Sequence, residues 1–425
     1  MTIFASDNVT TACPEIMDAL VKANSGNVDS YGDDKWSESL KKKMSDLFET
    51  NVEVFIAVTG TAANSLALSA LTPGFGNIYC HEISHINVDE CGAPEFFTGG
   101  AKLIALKGAD GKITADDLQK NIRGWGVVHN TQPASVSITQ ACETGLVYQL
   151  DEVSAISELA HKHKMKVHMD GARFANSVAT LKKTPAEMTW KAGVDVLTFG
   201  GTKNGCLDAE AIVFFKPEHV GNFPFLHKRS GQLLSKMRFV SAQLETYITN
   251  NLWLKNAEHS NSMAQILSKE LSNIDGVKLL YQTQSNEIFA NFSENIIKNL
   301  KKNGYSTFQD ELNNNSIRTF NGSTTIRVFH KNHGMHSTSD NVTISGVASG
   351  TYNGIAHSAI NGTYTSISNI TLDSYDVTTS GTASATGDVG GSSVTATQNR
   401  LFDVLQPQIG HVVHLSLIHI SEPTR

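Results

Sequence analysis

The pentapeptide HEISH, from His81 to His85, matches the H-E-x-x-H pattern of zinc metalloproteases. In that chemistry the two histidines lie one helical turn apart and bind Zn²⁺, while the glutamate activates the metal-bound water. The flanking sequence does not favour a helix, because prolines and glycines occur within residues 73–76 and 92–94. No second histidine motif follows to complete a ligand set, and Glu90 is the only nearby candidate. We therefore predict no metal site here.

Two other stretches place an acid and an amine where a small cofactor can bind between them. The segment KVHMDGARFANS (166–177) is typical of a short strand that ends at Asp170 and turns into a helix. The segment DVLTFGGTKNG (195–205) is typical of a strand that ends in two glycines, followed by Lys203. Ligands of open parallel sheets bind beyond the carboxyl ends of the strands. Asp170 and Lys203 can therefore face one another across a ligand.

Pyridoxal phosphate requires such a pair of residues. Its aldehyde reacts with a lysine, and its pyridine nitrogen needs an anionic partner that keeps it protonated. A third requirement is a phosphate site, and the segment VTGTAANS places Gly60 and Thr61 between a strand and a helix N-terminus, where free N–H groups favour an anion. Alone, Asp170 fits an ordinary helix cap and Lys203 a solvated loop lysine. Their order and spacing make the cofactor interpretation more specific, and we predict pyridoxal 5'-phosphate.

The elements that position these residues alternate between strand and helix over about residues 50–215. This alternation predicts an α/β domain with a largely parallel sheet. One helix is expected in TADDLQKNI, with Thr114 as its N-cap. The strand candidates are Val52–Val58, Ile78–Cys80, Ala101–Leu106, Ser135–Thr139, Lys166–Asp170, Asp195–Phe199 and Glu210–Phe215.

Composition changes along the chain and indicates three regions. We predict a large cofactor-binding domain over residues 1–245 and a smaller, truncated α+β domain over 246–331. No lysine occurs from residue 332 to the end, where Ser, Thr, Gly, Asn and Val dominate. This composition predicts a β-rich or disordered tail over 332–425.

Bulk properties exclude several classes of protein. A net charge of −7 offers no basic surface for nucleic acid. No stretch of about 20 apolar residues is present to span a membrane. The first residues do not resemble a signal peptide, and five widely spaced cysteines without a C-x-x-C pair indicate free thiols. We therefore expect a cytoplasmic protein that binds neither nucleic acid nor membrane.

Six ordered motifs carry a resemblance to a known family: ASDNVT, YGDD, TGTAAN, SHINVDECGAP, HMDGAR and GGTKNG. The sequence resembles the low-specificity L-threonine aldolases, pyridoxal-phosphate enzymes of the aspartate-aminotransferase fold type, over about residues 1–328. The resemblance implies a mostly parallel, seven-stranded sheet and cleavage of L-threonine or L-allo-threonine to glycine and an aldehyde. It also implies a homodimer or homotetramer with active sites at the subunit interface.

The resemblance also assigns roles to residues of the large domain. Lys203 would form the covalent link to the cofactor, Asp170 would pair with the pyridine nitrogen, and His85 would stack on the ring. Arg173 would bind the substrate carboxylate beside the cofactor, with Ser6 as its partner. Gly60 and Thr61 match the phosphate loop.

Other assignments by resemblance concern residues away from these motifs. Tyr31 falls where a neighbouring subunit contributes to the site, and Arg238 falls in a segment that reaches the phosphate across the interface. His129 matches a second active-site histidine, which leaves His85 and His129 as alternative bases. Arg327, in TTIRVF, matches the start of a strand that carries a second carboxylate-binding arginine, and Arg318 is the fallback candidate.

Alternatives stay open for both the tail and the function. The closing peptide LSLIHISEPTR looks like a translated sequencing adapter, so we interpret the tail as foreign sequence joined to a truncated aldolase. The other interpretation is an appended surface module. In function, another lyase of this fold type that catalyses β-elimination would share the lysine, the aspartate and the phosphate site. A damaged chimera would only bind the cofactor.

Overall fold

The computed structural model describes residues 6–293, 296, 299, 317–329, 341–370, 374–389, 394–399 and 411–416. The chain divides into two compact units. Unit 1 comprises Met1–Thr307 and Val413–Arg425, and unit 2 comprises Phe308–Val412. The expected domain boundary at residue 331 lies outside the described residues, as does most of the adapter-like closing peptide.

Seven strands form the central sheet of unit 1: β1 (Glu53–Ala57), β2 (Gly76–His81), β3 (Lys102–Leu106), β4 (Gln132–Thr139), β5 (Lys166–Gly171), β6 (Val196–Gly200) and β7 (Glu210–Phe214). Their order is β1-β7-β6-β5-β4-β2-β3, and only β7 is antiparallel to its neighbours. Strands β5, β6 and β7 are buried almost throughout, which explains their continuous apolar sequences. The expected mostly parallel seven-stranded sheet is confirmed.

Between residues 6 and 293, the helices of unit 1 are α1 (Pro14–Ala23), α2 (Lys35–Leu47), α3 (Gly60–Leu71), α4 (His85–Val88), α5 (Ala93–Thr98), α6 (Ala115–Asn121), α7 (Leu150–Lys162), α8 (Phe174–Leu181), α9 (Pro185–Met188), α10 (Phe223–Arg229), α11 (Arg238–Ile248) and α12 (Leu252–Leu271). Helix α3 has few polar side chains, so it is buried against β6 and β7. Thr114 caps α6 through a capping box with Asp117, as predicted. None of the described helices is long and apolar enough to cross a membrane.

The main core of unit 1 is rich in aromatic side chains. Phe48, Phe174 and Phe199 are fully buried, and the rings of Phe48 and Phe199 lie edge to face with centroids 6.2 Å apart. A smaller cluster joins α12 to two antiparallel strands, β8 (Val277–Leu279) and β9 (Glu287–Phe292). The main core packs around the central strands. The smaller cluster packs β8 and β9 against α12, which follows the large sheet in sequence.

The described residues of unit 2 form short strands: β10 (Ile317–Thr319), β11 (Thr325–Phe329), β12 (Asn341–Ser345), β13 (Thr351–Tyr352), β14 (Ile355–Ala356), β15 (Gly362–Tyr364), β16 (Ser374–Thr378), β17 (Gly387–Val389) and β18 (Thr395–Asn399), with a helical turn, α13 (His357–Ile360). Strands β10 and β11 pair with β16 and β17 in one sheet, and β12 pairs with β15 and β18 in another. A mainly aliphatic core lies inside this unit. The tail was expected to be β-rich or disordered, and its described residues are β-rich. A last strand, β19 (His411–Ser416), neighbours β9, and most of its residues belong to unit 1.

Candidate active site

The predicted acid and amine lie at the ends of two neighbouring parallel strands. Asp170 is near the end of β5, and Lys203 lies in a single 3-10 turn, Thr202–Asn204, just after β6. At the end of β6, an added Cβ on Gly200 would come within 2.5 Å of the carbonyl oxygen of Ala172. A glycine is therefore needed for the segments that follow β5 and β6 to approach this closely, which brings the two functional groups to one edge of the sheet.

Asp170 is the first member of a buried chain of hydrogen bonds. Its Oδ1 accepts from the backbone N–H of Ala172 at 2.9 Å, and its Oδ2 accepts from Nδ2 of Asn64 at 2.8 Å. Asn64, on α3, also donates to Oε1 of Glu90 at 2.9 Å. The same Oε1 lies 2.8 Å from Nδ1 of His85. The chain of bonds thus links the predicted pyridine partner to the predicted stacking histidine.

His85 is half-exposed but is held from two sides. Its backbone N–H donates to Oε1 of Glu143 at 2.9 Å, and the hydroxyl of Thr139 donates to the same oxygen at 2.8 Å. The hydrogen bond that the His85 ring donates to Glu90 raises the pKa of His85, burial opposes this increase, and the charge of Asp170 adds to it. Burial raises the pKa of Glu143 to about 7. The acids around His85 therefore favour its protonated form.

Arg173, the N-cap residue of α8, lies in a second group of charges at this edge. Its Nε and Nη2 donate to the two carboxylate oxygens of Asp7 at 2.7 and 2.9 Å, and Nη2 is 3.1 Å from Oε1 of Glu287. Burial alone would raise the pKa of Asp7, but the charges of Arg173 and Lys203 and a hydrogen bond from Asn286 lower it. Arg173 is therefore a rigid, nearly buried cation close to Lys203.

Ser6 has a local structural partner in the chain. Its hydroxyl accepts from the backbone N–H of Asn8 at 3.1 Å and caps the short turn Asp7–Val9. The residue that contacts Arg173 directly is Asp7, the next residue along the chain. The ASDNVT motif therefore contacts Arg173 through its aspartate, Asp7.

The first turn of α3 supplies the candidate phosphate site. The helix begins at Gly60 and Thr61, and Thr59 caps it by accepting from the N–H of Ala62 at 3.2 Å. A Cβ added at Gly60 would meet nothing within 4 Å, so open space lies in front of this helix end. Free N–H groups of a first helical turn, together with the helix dipole, attract an anion.

Two residues assigned to a neighbouring subunit have other contacts within this chain. Tyr31 is exposed and has the ammonium of Lys228 4.5 Å from its ring centroid. Arg238 donates from Nη1 to the carbonyl oxygen of Gly26 at 3.0 Å. Neither of these contacts involves the Asp170 or Arg173 groups.

Two further predicted residues lie in other elements of the chain. His129 is exposed in the loop that leads into β4, at the opposite end of that strand from Thr139. Arg327, on β11 of unit 2, donates from Nε and Nη2 to both carboxylate oxygens of Asp376 at 2.7 and 3.0 Å. The guanidinium that the resemblance assigns to the substrate is therefore paired with a carboxylate of the protein.

The HEISH segment does not form a helix that could carry two zinc ligands on one face. His81 is the last residue of β2, whereas α4 begins only at His85. The ring of His81 donates from Nε2 to the carbonyl oxygen of Gly108 at 3.1 Å and accepts at Nδ1 from the N–H of Ile83 at 3.2 Å. His81 thus has an ordinary structural role, while His85 belongs to the Asp170 group.

Comparison with known proteins gives a consistent result. The family model described as β-eliminating lyase matches residues 4–294. A low specificity L-threonine aldolase from a Pseudomonas species is 45% identical over 302 residues, which cover 71% of this chain and 87% of the relative.

The chain belongs to the β-eliminating lyase family.

Two further relatives cover a similar share of the chain. The low specificity L-threonine aldolase of Pseudomonas aeruginosa is 43% identical over 302 residues. The solved structure of Leishmania major threonine aldolase has a TM-score of 0.69 at 26% identity and covers 73% of this chain and 90% of that one. These matches leave about the last quarter of this chain uncovered.

The lyase family depends on pyridoxal 5'-phosphate, and residues of this chain fit that cofactor. Each carboxylate oxygen of Asp170 accepts one hydrogen bond from a protein group, which leaves capacity for a pyridine N–H. Lys203 lies after the adjacent strand, and open space lies in front of Gly60. The donor set therefore matches a ring nitrogen, an aldehyde and a phosphate.

The structure adds residues that the sequence alone did not assign to the site. Asp7, Asn64 and Glu90 lie within motifs already recognised, ASDNVT, TGTAAN and DECGAP, so their presence there was a usable signal. Glu143 and Glu287 follow no motif, and only the fold brings them to His85 and Arg173.

Proposed function

We propose that this chain cleaves β-hydroxy-α-amino acids, with L-threonine and L-allo-threonine as substrates, to glycine and an aldehyde. The observation that carries the proposal is the arrangement of Lys203, Asp170 and Arg173 at one edge of the sheet. Relatives named for this activity, at up to 45% identity over most of their length, support it. The reaction is a carbon–carbon bond cleavage by a lyase.

Substrate orientation is the first task of the protein, and we assign it to Arg173 with Ser6. Because Asp7 and Glu287 hold the guanidinium of Arg173 in a fixed position, a substrate carboxylate that binds there is fixed as well. Cleavage would require the substrate to bind in one orientation, with its Cα–Cβ bond aligned for cleavage. A fixed carboxylate selects this orientation and removes much of the entropic barrier.

The second task is to hold the cofactor and its charges. When bound, pyridoxal phosphate supplies the electron sink that cleavage of the Cα–Cβ bond requires. Lys203 provides the amine that attaches the cofactor, and Asp170 keeps a proton on the ring nitrogen. Gly60 and Thr61 bind the phosphate at the N-terminus of α3.

The third task is to remove the proton of the substrate β-hydroxyl, and we assign it to His85. His85 belongs to the Asp170 group through Glu90 and Asn64, whereas His129 lies at the other end of β4 in the same chain. A histidine whose pKa is raised by acids becomes an effective base at moderately alkaline pH.

Assembly and cellular location complete the proposal. We propose a homodimer or homotetramer in which Tyr31 and Arg238 complete the site of a neighbouring copy. Their exposed or peripheral contacts in this chain are compatible with that role. The five cysteines are free thiols, which supports a reducing, cytoplasmic environment.

The direct test measures products from the full chain supplied with pyridoxal phosphate. Acetaldehyde from L-threonine and L-allo-threonine is followed with alcohol dehydrogenase and NADH, and pyruvate from L-serine with lactate dehydrogenase. We expect acetaldehyde and glycine in equal amounts, without pyruvate. Pyruvate from serine without acetaldehyde from threonine would assign the chain to β-elimination instead, and cofactor binding without either product would indicate a protein that only binds it.

A further inference from the structure

Glu90 is a buried acid with no direct role in the reaction described above. Its side chain is completely inaccessible to solvent, and it lies in the segment between α4 and α5. One oxygen, Oε1, lies within hydrogen-bond distance of two nitrogens, Nδ1 of His85 at 2.8 Å and Nδ2 of Asn64 at 2.9 Å. A buried carboxylate that faces an imidazole is a common device for fixing the tautomer and the orientation of a catalytic histidine.

We propose that Glu90 is a positioning residue for His85: its carboxylate accepts the Nδ1–H, so that the neutral ring presents an unprotonated Nε2 to the substrate. The inference rests on the proposed function only in assigning His85 to the substrate hydroxyl. The neutral imidazole has one donor and one acceptor nitrogen, and an acceptor fixed at Nδ1 leaves Nε2 as the only basic position.

Asn64 makes this arrangement more rigid. Its amide donates one N–H to Glu90 and the other to Asp170, so the orientation of the amide is determined by two carboxylates. The remaining oxygen, Oδ1, is buried without a hydrogen-bond partner among the described residues. Reversing the amide would turn this oxygen towards a carboxylate, so the amide keeps the orientation in which it donates to both Glu90 and Asp170.

The charges around His85 predict how the pair responds to pH. The ring faces the acids Glu90 and Asp170, its backbone N–H contacts Glu143, and Lys203 opposes them. The hydrogen bond to Glu90 is the largest of the influences that raise the pKa of His85. Removing the charge of Glu90 therefore lowers the pH at which His85 loses its proton.

The test uses nuclear magnetic resonance of the full chain with bound pyridoxal phosphate, labelled with ¹⁵N in its histidines. The His85 signal is assigned from its loss in His85→Gln. In the natural sequence we expect the neutral ring to carry its proton on Nδ1. In Glu90→Gln we expect the pKa of His85 to fall by roughly one unit. The matched control is Asp89→Asn, an exposed acid one residue away, which should leave the titration of His85 unchanged.

Two results would overturn the proposal: a neutral His85 protonated on Nε2, or the same titration in Glu90→Gln as in the natural sequence. If Glu90→Gln does not fold, Glu90→Asp decides instead, since it keeps the charge but shortens the side chain. That variant should mix the two tautomers, and a pure Nδ1–H form would reject the proposal. The measurement needs no turnover, so a chain without aldolase activity can still pass or fail it.

A kinetic measurement adds a second result if the proposed function holds. The acid limb of the pH profile of kcat/KM for threonine should move to lower pH in Glu90→Gln, with the limb of Asp89→Asn unchanged. A purely structural role of Glu90 would lower the thermal midpoint without moving this limb.

Discussion

Acids at the two edges of the seven-stranded sheet have pKa values shifted in opposite directions. At the carboxyl edge, where β5 and β6 end, Glu210 is buried and Glu143 is partly buried, and burial raises the pKa of each to about 7. At the amino edge, where the same strands begin, Asp195 is buried too, yet its pKa is lowered to about 2. The difference lies in the partners that each edge provides.

Asp195 at the amino edge is fully paired. Burial would raise the pKa of Asp195, but a hydrogen bond from His161 at 2.9 Å and another from the N–H of Val167 at 2.8 Å outweigh it, and the ammonium of Lys216 lies 3.1 Å away. At the carboxyl edge, one oxygen of Glu90 and one of Glu210 have no hydrogen-bond partner among the described groups. Incompletely paired acids lower the stability of the folded protein, but a bound ligand can supply the missing partners at this edge.

The largest expected effect is at the carboxyl edge, on replacing Lys203. Lys203→Ala should abolish covalent attachment of the cofactor and reduce threonine cleavage to background, because Lys203 is the only lysine in the described segment that follows β6, residues 201–209. Borohydride reduction followed by peptide mass spectrometry locates the attached lysine. Lys183→Ala, an exposed lysine, is the control and should retain both attachment and activity. A reduced cofactor on a lysine other than Lys203 would refute the assignment.

The second effect tests the acid that pairs with the cofactor. Asp170→Asn should keep the cofactor bound but lower kcat by roughly a hundredfold or more, since a neutral amide cannot hold the ring nitrogen protonated while charge develops. Steady-state cleavage of threonine by protein saturated with cofactor gives the number. Asp208→Asn, at an exposed residue with φ of 51° that asparagine also tolerates, should behave as the natural sequence. Cleavage within a factor of three of normal in Asp170→Asn would remove this role.

The third effect concerns the stability of the amino edge. The folded pKa of Asp195, about 2, is below its ordinary value of 3.8, so the acid stabilises the protein above about pH 4 and loses this contribution as pH falls through 2. Asp195→Asn should therefore lower the free energy of unfolding by about 2 kcal/mol at pH 7. Urea unfolding at several pH values measures it, and the difference between the two proteins should shrink between about pH 4 and 2.

At the carboxyl edge, Glu210→Gln should change the stability of the protein in the opposite direction from Asp195→Asn. The pKa of Glu210, raised from 4.5 to about 7 by burial, means that its ionisation costs stability as pH rises from 4.5 to 7. The glutamine variant should therefore become more stable than the natural sequence, measured by the same unfolding experiment, as pH increases over that interval. Equal pH dependence of Asp195→Asn and Glu210→Gln would show that the two edges do not differ in the way described.

The comparison also shows which features a sequence can reveal. All seven strands of the sheet were predicted, because each is a short apolar run bounded by glycine, proline or helical sequence, and β5 to β7 are buried on both faces. Asp170 and Lys203, at the carboxyl ends of β5 and β6, were therefore expected to lie close together. Bounds differed by one to three residues, as with β4, which begins at Gln132 rather than Ser135.

Partners distant in sequence were beyond prediction. Asp7 and Arg173 are 166 residues apart, and nothing in either segment specifies that an aspartate rather than Ser6 forms the direct contact. Glu143 precedes a helix in the sequence without any motif, so its contact with His85 depends on where β4 ends. Such pairs follow from strand order, which local patterns do not encode.

The smallest expected effects concern Arg173 and Arg327, which each pair with a carboxylate through Nε and Nη2. Arg173 and Arg327 each form a bidentate pair, with Asp7 and Asp376, but their side chains are 13% and 34% exposed, and Arg327 lies opposite Asp376 on paired strands. Arg173→Lys should weaken glycine binding roughly tenfold, because a lysine cannot satisfy Asp7 and a substrate carboxylate with the same geometry. Arg327→Lys should change glycine affinity by less than about twofold, because none of the described contacts of Arg327 involves the Asp170 or Arg173 groups. Spectroscopic titration of the cofactor-loaded chain with glycine measures both affinities. A tenfold loss in Arg327→Lys would instead make Arg327 the second carboxylate ligand that the resemblance implies.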